Sequence, residues 1–217
     1  MQGLFRRRNL PHLDREGGTY FVTLCLAGSL PASGTLAISR HWRKRALAPP
    51  PAGISADEWR RRCSAAAFVD YDRVLDSSSP VTWLADQRLA GIVRDSLLHG
   101  HGHRYQLLAY VIMWSHCHVV FSTTSNGVAG PADNDHARRR SAREAVMLSL
   151  KRYTAVSCNR VLGRRGPFWQ AESYDRLVRT HAELERVVSY VERNPVKAGL
   201  CREPEDWEWS SARSRRP

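Results

Sequence analysis

The stretch that most constrains this chain is Tyr110-Val111-Ile112-Met113-Trp114-Ser115-His116-Cys117-His118-Val119-Val120-Phe121. An apolar run breaks at Trp114-Ser115 and resumes with histidine, cysteine and histidine. The break predicts two strands, one from Tyr105 to Met113 and one opening at His116, folded into an antiparallel hairpin. Strand alternation then sends both imidazoles to one face and Cys117 to the other. The two rings start about 6.6–7 Å apart along the strand, close enough to share one metal ion. Two satisfied surface histidines have the same spacing, so the tripeptide alone leaves both readings open.

The flanking chain supplies the rest of a sheet. Thr19-Tyr20-Phe21-Val22-Thr23-Leu24-Cys25-Leu26 is rich in β-branched and aromatic residues and reads as the first strand. Tyr20, Val22, Leu24 and Leu26 share one face, and Phe21, Thr23 and Cys25 the other. Trp83 to His99 carries Leu84, Leu89, Ile92, Val93, Leu97 and Leu98 at core-facing helical spacing and stops at Gly100. His99-Gly100-His101-Gly102-His103 imitates a metal tract, but its glycines make it a solvated turn. Asn126 to Arg140 reads as an exposed loop. Ser141-Ala142-Arg143-Glu144 is a capping box opening a helix to about Leu162, with Val146, Leu150, Tyr153 and Val156 on its buried side.

Tyr174 to Arg179 is the last strand. Thr180-His181-Ala182-Glu183 opens a second capped helix, expected to run through Arg193 and end at Asn194-Pro195. Its buried stripe is Leu184, Val187, Val188 and Val191. Tyr190 lies at the stripe's edge, with Asn194 one turn further on the same side. A phenol there is either an interface tyrosine with a wet hydroxyl or a nucleophile aimed into a cleft. The resulting strand–helix–strand–strand–helix–strand order is that of a ferredoxin-like unit.

Residues 35–80 carry weaker signals. Leu36-Ala37-Ile38 suggests a short strand, Trp42-Arg43-Lys44-Arg45 a basic patch, and Pro49-Pro50-Pro51 a stiff spacer. Asp57-Glu58-Trp59 opens a helix with acid in its first turn, and Asp76-Ser77-Ser78-Ser79-Pro80 is loop chemistry. The segment reads as an insertion in a single domain of 217 residues, with a tail from about residue 195.

Charge decides the partner class. Lys and Arg number 33 against 21 Asp and Glu, a net charge of +12, which favours a polyanion, nucleic acid first. Arg138, Arg139, Arg140, Arg143, Lys151, Arg152, Arg160, Arg164 and Arg165 cluster with only Glu144 against them. They form either a solvated face or a phosphate-contacting one. Phe168-Trp169 either stacks on a base or packs. Five scattered cysteines without a CxxC pair indicate reduced thiols and a cytosolic protein. No apolar run is long enough for a membrane span, and no signal segment follows Arg6-Arg7-Arg8.

Taken in order, Gly17-Gly18-Thr19-Tyr20-Phe21-Val22-Thr23, His116-Cys117-His118, Gly166-Pro167-Phe168-Trp169-Gln170, Glu172-Ser173-Tyr174-Asp175, Tyr190-Val191-Glu192-Arg193-Asn194-Pro195-Val196-Lys197-Ala198-Gly199-Leu200 and Glu205-Asp206-Trp207-Glu208-Trp209-Ser210-Ser211 resemble the REP-associated tyrosine transposases. These belong to the single-tyrosine HUH endonucleases. The resemblance runs from Pro11 to Ala212 and is poorest over residues 35–80. It departs at Trp114-Ser115, where relatives usually have Pro-Asn.

The resemblance implies an α+β fold: a ferredoxin-like or RRM-like antiparallel sheet with helices on one face and an appended C-terminal helix carrying the catalytic tyrosine. It implies His116 and His118 as metal ligands, Asn194 as a third, and Tyr190 as the nucleophile. The activity implied is metal-dependent nicking and transfer of single-stranded DNA beside palindromic hairpins, through a 5′-phosphotyrosine. Imidazoles favour Zn or Mn over Mg, whereas relatives act with Mg2+ or Mn2+, and these two are the expected cofactors. Arg138, Arg139, Arg140, Arg143, Lys151, Arg152, Arg164 and Arg165, with Trp169, form the expected DNA-contact set. The implied setting is the bacterial cytoplasm, nucleoid-associated on DNA, as a monomer or homodimer. Two rivals share the charge: a non-catalytic nucleic-acid binding module on an RRM-like sheet, and a metal-dependent phosphodiesterase using water.

Overall fold

The computed structural model describes residues 4–7, 11–30, 32–124, 140–171 and 173–215. Two short strands, β1 (Leu4–Arg7) and β2 (Pro11–Asp14), pair with each other. The main sheet holds β3 (Thr19–Cys25), β4 (Tyr105–Ile112), β5 (His116–Thr123) and β6 (Tyr174–Val178) in the order β4-β5-β3-β6, every neighbour antiparallel. Helix α3 (Gln87–Gly100) links β3 to β4, and α4 (Ala142–Val161) links β5 to β6. That order and connectivity are ferredoxin-like, as expected. Between β3 and α3 are inserted α1 (Ala32–Leu47) and α2 (Ala56–Ser78); α5 (His181–Lys197) follows β6.

Alternation along the strands builds two cores, one on each side of the sheet. Tyr20, Val22, Leu24, Cys117, Val119 and Phe121 face α3 and α4, meeting Leu89, Val93 and Leu97 from one and Val146, Met147 and Leu150 from the other. Phe21, Val111 and Val120 face the opposite way, onto Val187 and Val191 of α5 and Phe68 of α2. With both faces covered, β5 can carry Val119, Val120 and Phe121 in succession without a solvent-facing polar residue between them. Among the described residues no helix is long and apolar enough to cross a membrane.

Several expectations are corrected. Leu36-Ala37-Ile38 lies inside α1, not in a strand; three apolar residues are too few to distinguish the two periods. Helix α2 begins as expected, with Ser55 capping Glu58, but takes in Asp76 to Ser78, and the loop starts at Ser79. Trp83–Ala85 forms a separate 3-10 turn before Asp86 caps α3, and Leu98 is exposed. The capping box at Ser141 forms, but the buried face of α4 runs through Val146, Met147, Leu150, Thr154 and Cys158. Tyr153 and Val156 therefore point outward, at 60% and 56% exposure.

The largest departure is in α5, which continues through Pro195 to Lys197. A proline inside a helix costs about 3 kcal/mol. Burying Val187 and Val191 contributes roughly 1.5–3 kcal/mol each, enough to hold the helix in place. The backbone past the proline is recaptured by Ala198 N–H donating to Asn194 and Leu200 N–H donating to Pro195.

In the tract from His99 to His103 the first two residues still close α3 and the turn follows them, with all three histidines exposed. Gly100 is needed for packing: a Cβ there would lie 2.4 Å from the ring of Tyr105, a buried residue whose hydroxyl donates to Leu97. Gly100→Ala should therefore lower stability by roughly 1–3 kcal/mol, the range for overpacking a core, as read by chemical denaturation. An unchanged unfolding midpoint would mean that the Tyr105 ring is free to yield.

Candidate metal and nucleophile site

Three elements converge on the sheet face opposite α3 and α4. From β5 come His116 and His118, paired in register with Cys25 and Thr23 of β3. Both rings are fully buried, with centroids 4.7 Å apart. From α5 come Tyr190, Asn194 and Lys197, and their i, i+4, i+7 spacing puts them on one side of the helix. This row depends on the helix continuing past Pro195. From α2 comes Asp72, which is fully buried, with Asp76 one turn later.

The imidazoles are held by their Nδ1 atoms, which leaves Nε2 facing the cleft. Ser115 Oγ donates to the Leu75 carbonyl at 3.2 Å and lies 2.9 Å from His116 Nδ1. A hydroxyl has one hydrogen, so Ser115 accepts from His116 Nδ1–H, and the lone pair of neutral His116 sits on Nε2. Burial, with His118 beside it, pushes His116 down to about 3, which keeps it in that neutral, ligating form. Thr23 Oγ1 meets His118 Nδ1 at 2.8 Å. Polar partners of this kind orient metal-binding imidazoles.

Asp72 joins the two sides. Its Oδ1 lies 2.9 Å from His118 Nε2 and 3.7 Å from His116 Nε2. Its Oδ2 accepts hydrogen bonds from the Tyr190 hydroxyl, from Asn194 Nδ2 at 3.2 Å and from Lys197 Nζ at 3.3 Å. Burial alone would raise the Asp72 carboxyl, but the His118 imidazole and the Tyr190 hydroxyl outweigh it and hold the group well below the usual carboxylate range. Burial and the same anion push the Tyr190 phenol above its ordinary value. Burial and the charge of Asp72 lift Asp76 to about 7.

The buried lone pairs mark a candidate cation site. Asp76 Oδ1, His116 Nε2 and Asn194 Oδ1 are buried without a hydrogen-bond partner, while Asp72 Oδ1 and His118 Nε2 face each other at 2.9 Å. Each unsatisfied buried group costs about 1–3 kcal/mol. One divalent cation can satisfy several of them at once. The ligand atoms of Asp72, His116 and His118 lie within 4.8 Å of one another. Two bonds of about 2.1 Å span up to about 4.2 Å, so the set needs only slight contraction. The donors fit a metal.

Four of the expected site residues, His116, His118, Tyr190 and Asn194, are thus brought together. The expected DNA-contact set is dispersed. Arg138 and Arg139 lie outside the described residues. Arg140, Arg152 and Arg165 are exposed. Arg143 is buried in an ion pair with Asp175 and lies over the Tyr20 ring, so it serves the core and does not face solvent. Lys151 donates to the carbonyls of Gln170 and Ala171 and ties down a loop. Arg164 covers the Trp83 ring at 4.1 Å. Trp169 is buried and donates to Thr154, so it packs and offers no stacking face. Near Tyr190, an open groove along α5 is lined by Arg186, Arg193 and Lys197, with Glu185 the one acid.

Sequence reasoning missed Asp72, Lys197 and Ser115. The signal for Asp72 was present: Phe68, Asp72 and Leu75 stand at i, i+4 and i+7, which puts a carboxylate in the middle of an apolar stripe. All three are buried.

No protein-family model matches the sequence, and no curated protein matches it. Among solved structures it is similar to a REP-associated tyrosine transposase bound to a REP hairpin, at 16% identity and a TM-score of 0.52. The match covers 98% of this chain and 88% of the other. The resemblance carried by the order of the motifs is thus met in three dimensions: this chain has the fold of a REP-associated tyrosine transposase.

Proposed function

We propose that this protein nicks and transfers single-stranded DNA, using Tyr190 as nucleophile and a divalent metal held by His116 and His118, with Asn194 as a further ligand. One observation carries the reading: the Tyr190 hydroxyl and both Nε2 atoms converge on the two oxygens of a single carboxylate, Asp72. The gap between nucleophile and metal ligands is therefore one small anion wide, which suits a scissile phosphate. Neither rival accounts for it. A binding module needs no tyrosine facing buried imidazoles, and a water-using phosphodiesterase needs no phenol at the anion's position.

In the reaction the Tyr190 oxygen passes its proton to water and forms a bond to phosphorus. The bond from phosphorus to the 3′ oxygen breaks, and that oxygen leaves as a 3′-hydroxyl after taking a proton. The product is a 5′-phosphotyrosine, which keeps the phosphodiester energy for rejoining. Bound Mg2+ or Mn2+ would supply Lewis-acid neutralisation of the phosphate oxygens. Asn194 and Lys197 sit to receive the same oxygens, and α5 holds all three side chains in line on a packed helix. Arg186 and Arg193 line the approach to Tyr190 and suit a DNA backbone; hairpin-bearing single strands are the substrate class, and binding should weaken with salt.

Tyr190→Phe should abolish the covalent DNA adduct seen on denaturing gels while leaving hairpin binding intact; cutting that survives would instead favour water as nucleophile. His116→Ala and His118→Ala should each remove Mn2+ binding measured by calorimetry, and cleavage with it. Ser115→Ala frees the His116 ring to change tautomer, and its Mn2+ affinity should fall roughly 10–100-fold, the usual range for losing such a support. An unaltered affinity would show that Leu75 and Ser115 do not orient the ring.

A further inference from the structure

Asp72 makes the contacts that a phosphodiester would have to make here. A carboxylate and a phosphodiester each offer two oxygens sharing one negative charge. One oxygen of Asp72 takes the Tyr190 hydroxyl, Asn194 Nδ2 and Lys197 Nζ, and the other faces His118 and His116. Two anions cannot share that space, since their repulsion would be strong in a buried site. Asp72, His116, His118 and Asn194 are all fully buried, so no strand reaches them while α2 lies where it does.

The element carrying Asp72 is tied to α1 more than to the sheet. Helix α2 is fastened to α1 by Trp42 Nε1–H donating to Asp70 and by Trp59 Nε1–H donating to the Arg45 carbonyl. Arg45 lies over both indole rings. The pair follows Gly28, whose φ is +82°, and ends at Ser79, the residue that closes α2. Its grip on the site is mainly Phe68, stacked on Tyr174 at 4.6 Å and edge-on to Phe21 and Tyr190, together with the bond from Ser115 to Leu75.

We propose that the α1–α2 arm is an autoinhibitory lid whose Asp72 occupies the seat of the scissile phosphate, so that single-stranded DNA must displace it to reach Tyr190. This rests on the assignment of Tyr190 and the histidines above, with Asp72 facing the metal only until the phosphate takes its place and Asn194 remaining as the further ligand. Lys197, at 47% exposure, is the cation that is handed from the carboxylate to the incoming phosphate along the α5 groove.

The test compares the full chain with Asp72→Ala and Asp72→Asn. Hydrogen exchange is followed in the DNA-free protein, and adduct formation with a pool of short single-stranded DNAs, each carrying a palindromic hairpin, in Mn2+. Exchange across residues 56–78 should rise at least about tenfold in both variants while β4 and β5 stay protected. The initial rate of adduct formation should rise by a similar factor. Unchanged exchange in that segment overturns the lid. An adduct rate below that of the unaltered chain overturns it too, because Asp72 would then be part of the chemistry. If the alanine chain does not fold, Asp72→Asn keeps the volume and removes the charge, and carries the same comparison. The exchange measurement needs neither metal nor catalysis, so it decides the lid even if Tyr190→Phe still forms an adduct, a result that would overturn only the nucleophile assignment.

Discussion

The register of β3 against β5 is the constraint on which the rest of the structure depends. With Thr23 opposite His118 and Leu24 opposite Cys117, alternation delivers both imidazoles to one side of the sheet and aliphatic residues to the other. A slip of one residue would drive the histidines into the core beneath α3 and α4 and turn Cys117 toward α5. The apolar pattern prevents that slip, because Val119 and Phe121 belong to one core and Val120 to the other. Packing and site geometry are therefore one requirement, met by the same strand.

Much of this was legible because it is local. Strand alternation placed Tyr20, Val22 and Leu24 on one face and Phe21 and Thr23 on the other, and both histidines together. The two-residue break at Trp114-Ser115 marked the hairpin, and Ser141 with Glu144 marked the start of α4. What was not legible depends on tertiary competition. Pro195 reads as a helix stop by its own chemistry, and only the burial of Val187 and Val191 beneath it carries α5 onward to Lys197. The phase of α4 was misjudged at Tyr153 because the helix is mixed in character all round, and contact with α3 decides which side is inward.

The arginines illustrate a second limit. A run of basic residues in sequence says nothing about which of them the fold consumes. Arg143 is spent on Asp175, Lys151 on two carbonyls and Arg164 on an indole face. The cations nearest Tyr190 are instead on α5, where they are interleaved with acids and so escape notice as a cluster. Likewise, the carboxylate joining the two halves of the site came from the inserted segment whose sequence carried the weakest signals.

Cys117, lodged between the two histidines in sequence, is separated from them by the thickness of the sheet. Burial pushes its thiol above the ordinary range, so no thiolate stands beside the imidazole nitrogens. Cys25, paired with His116 on the histidine side of the sheet, is likewise pushed up by burial and by the Asp72 charge. The pleat of one strand thus turns one thiol of the pair away from the imidazole nitrogens, and burial keeps the other, Cys25, in its neutral form beside them.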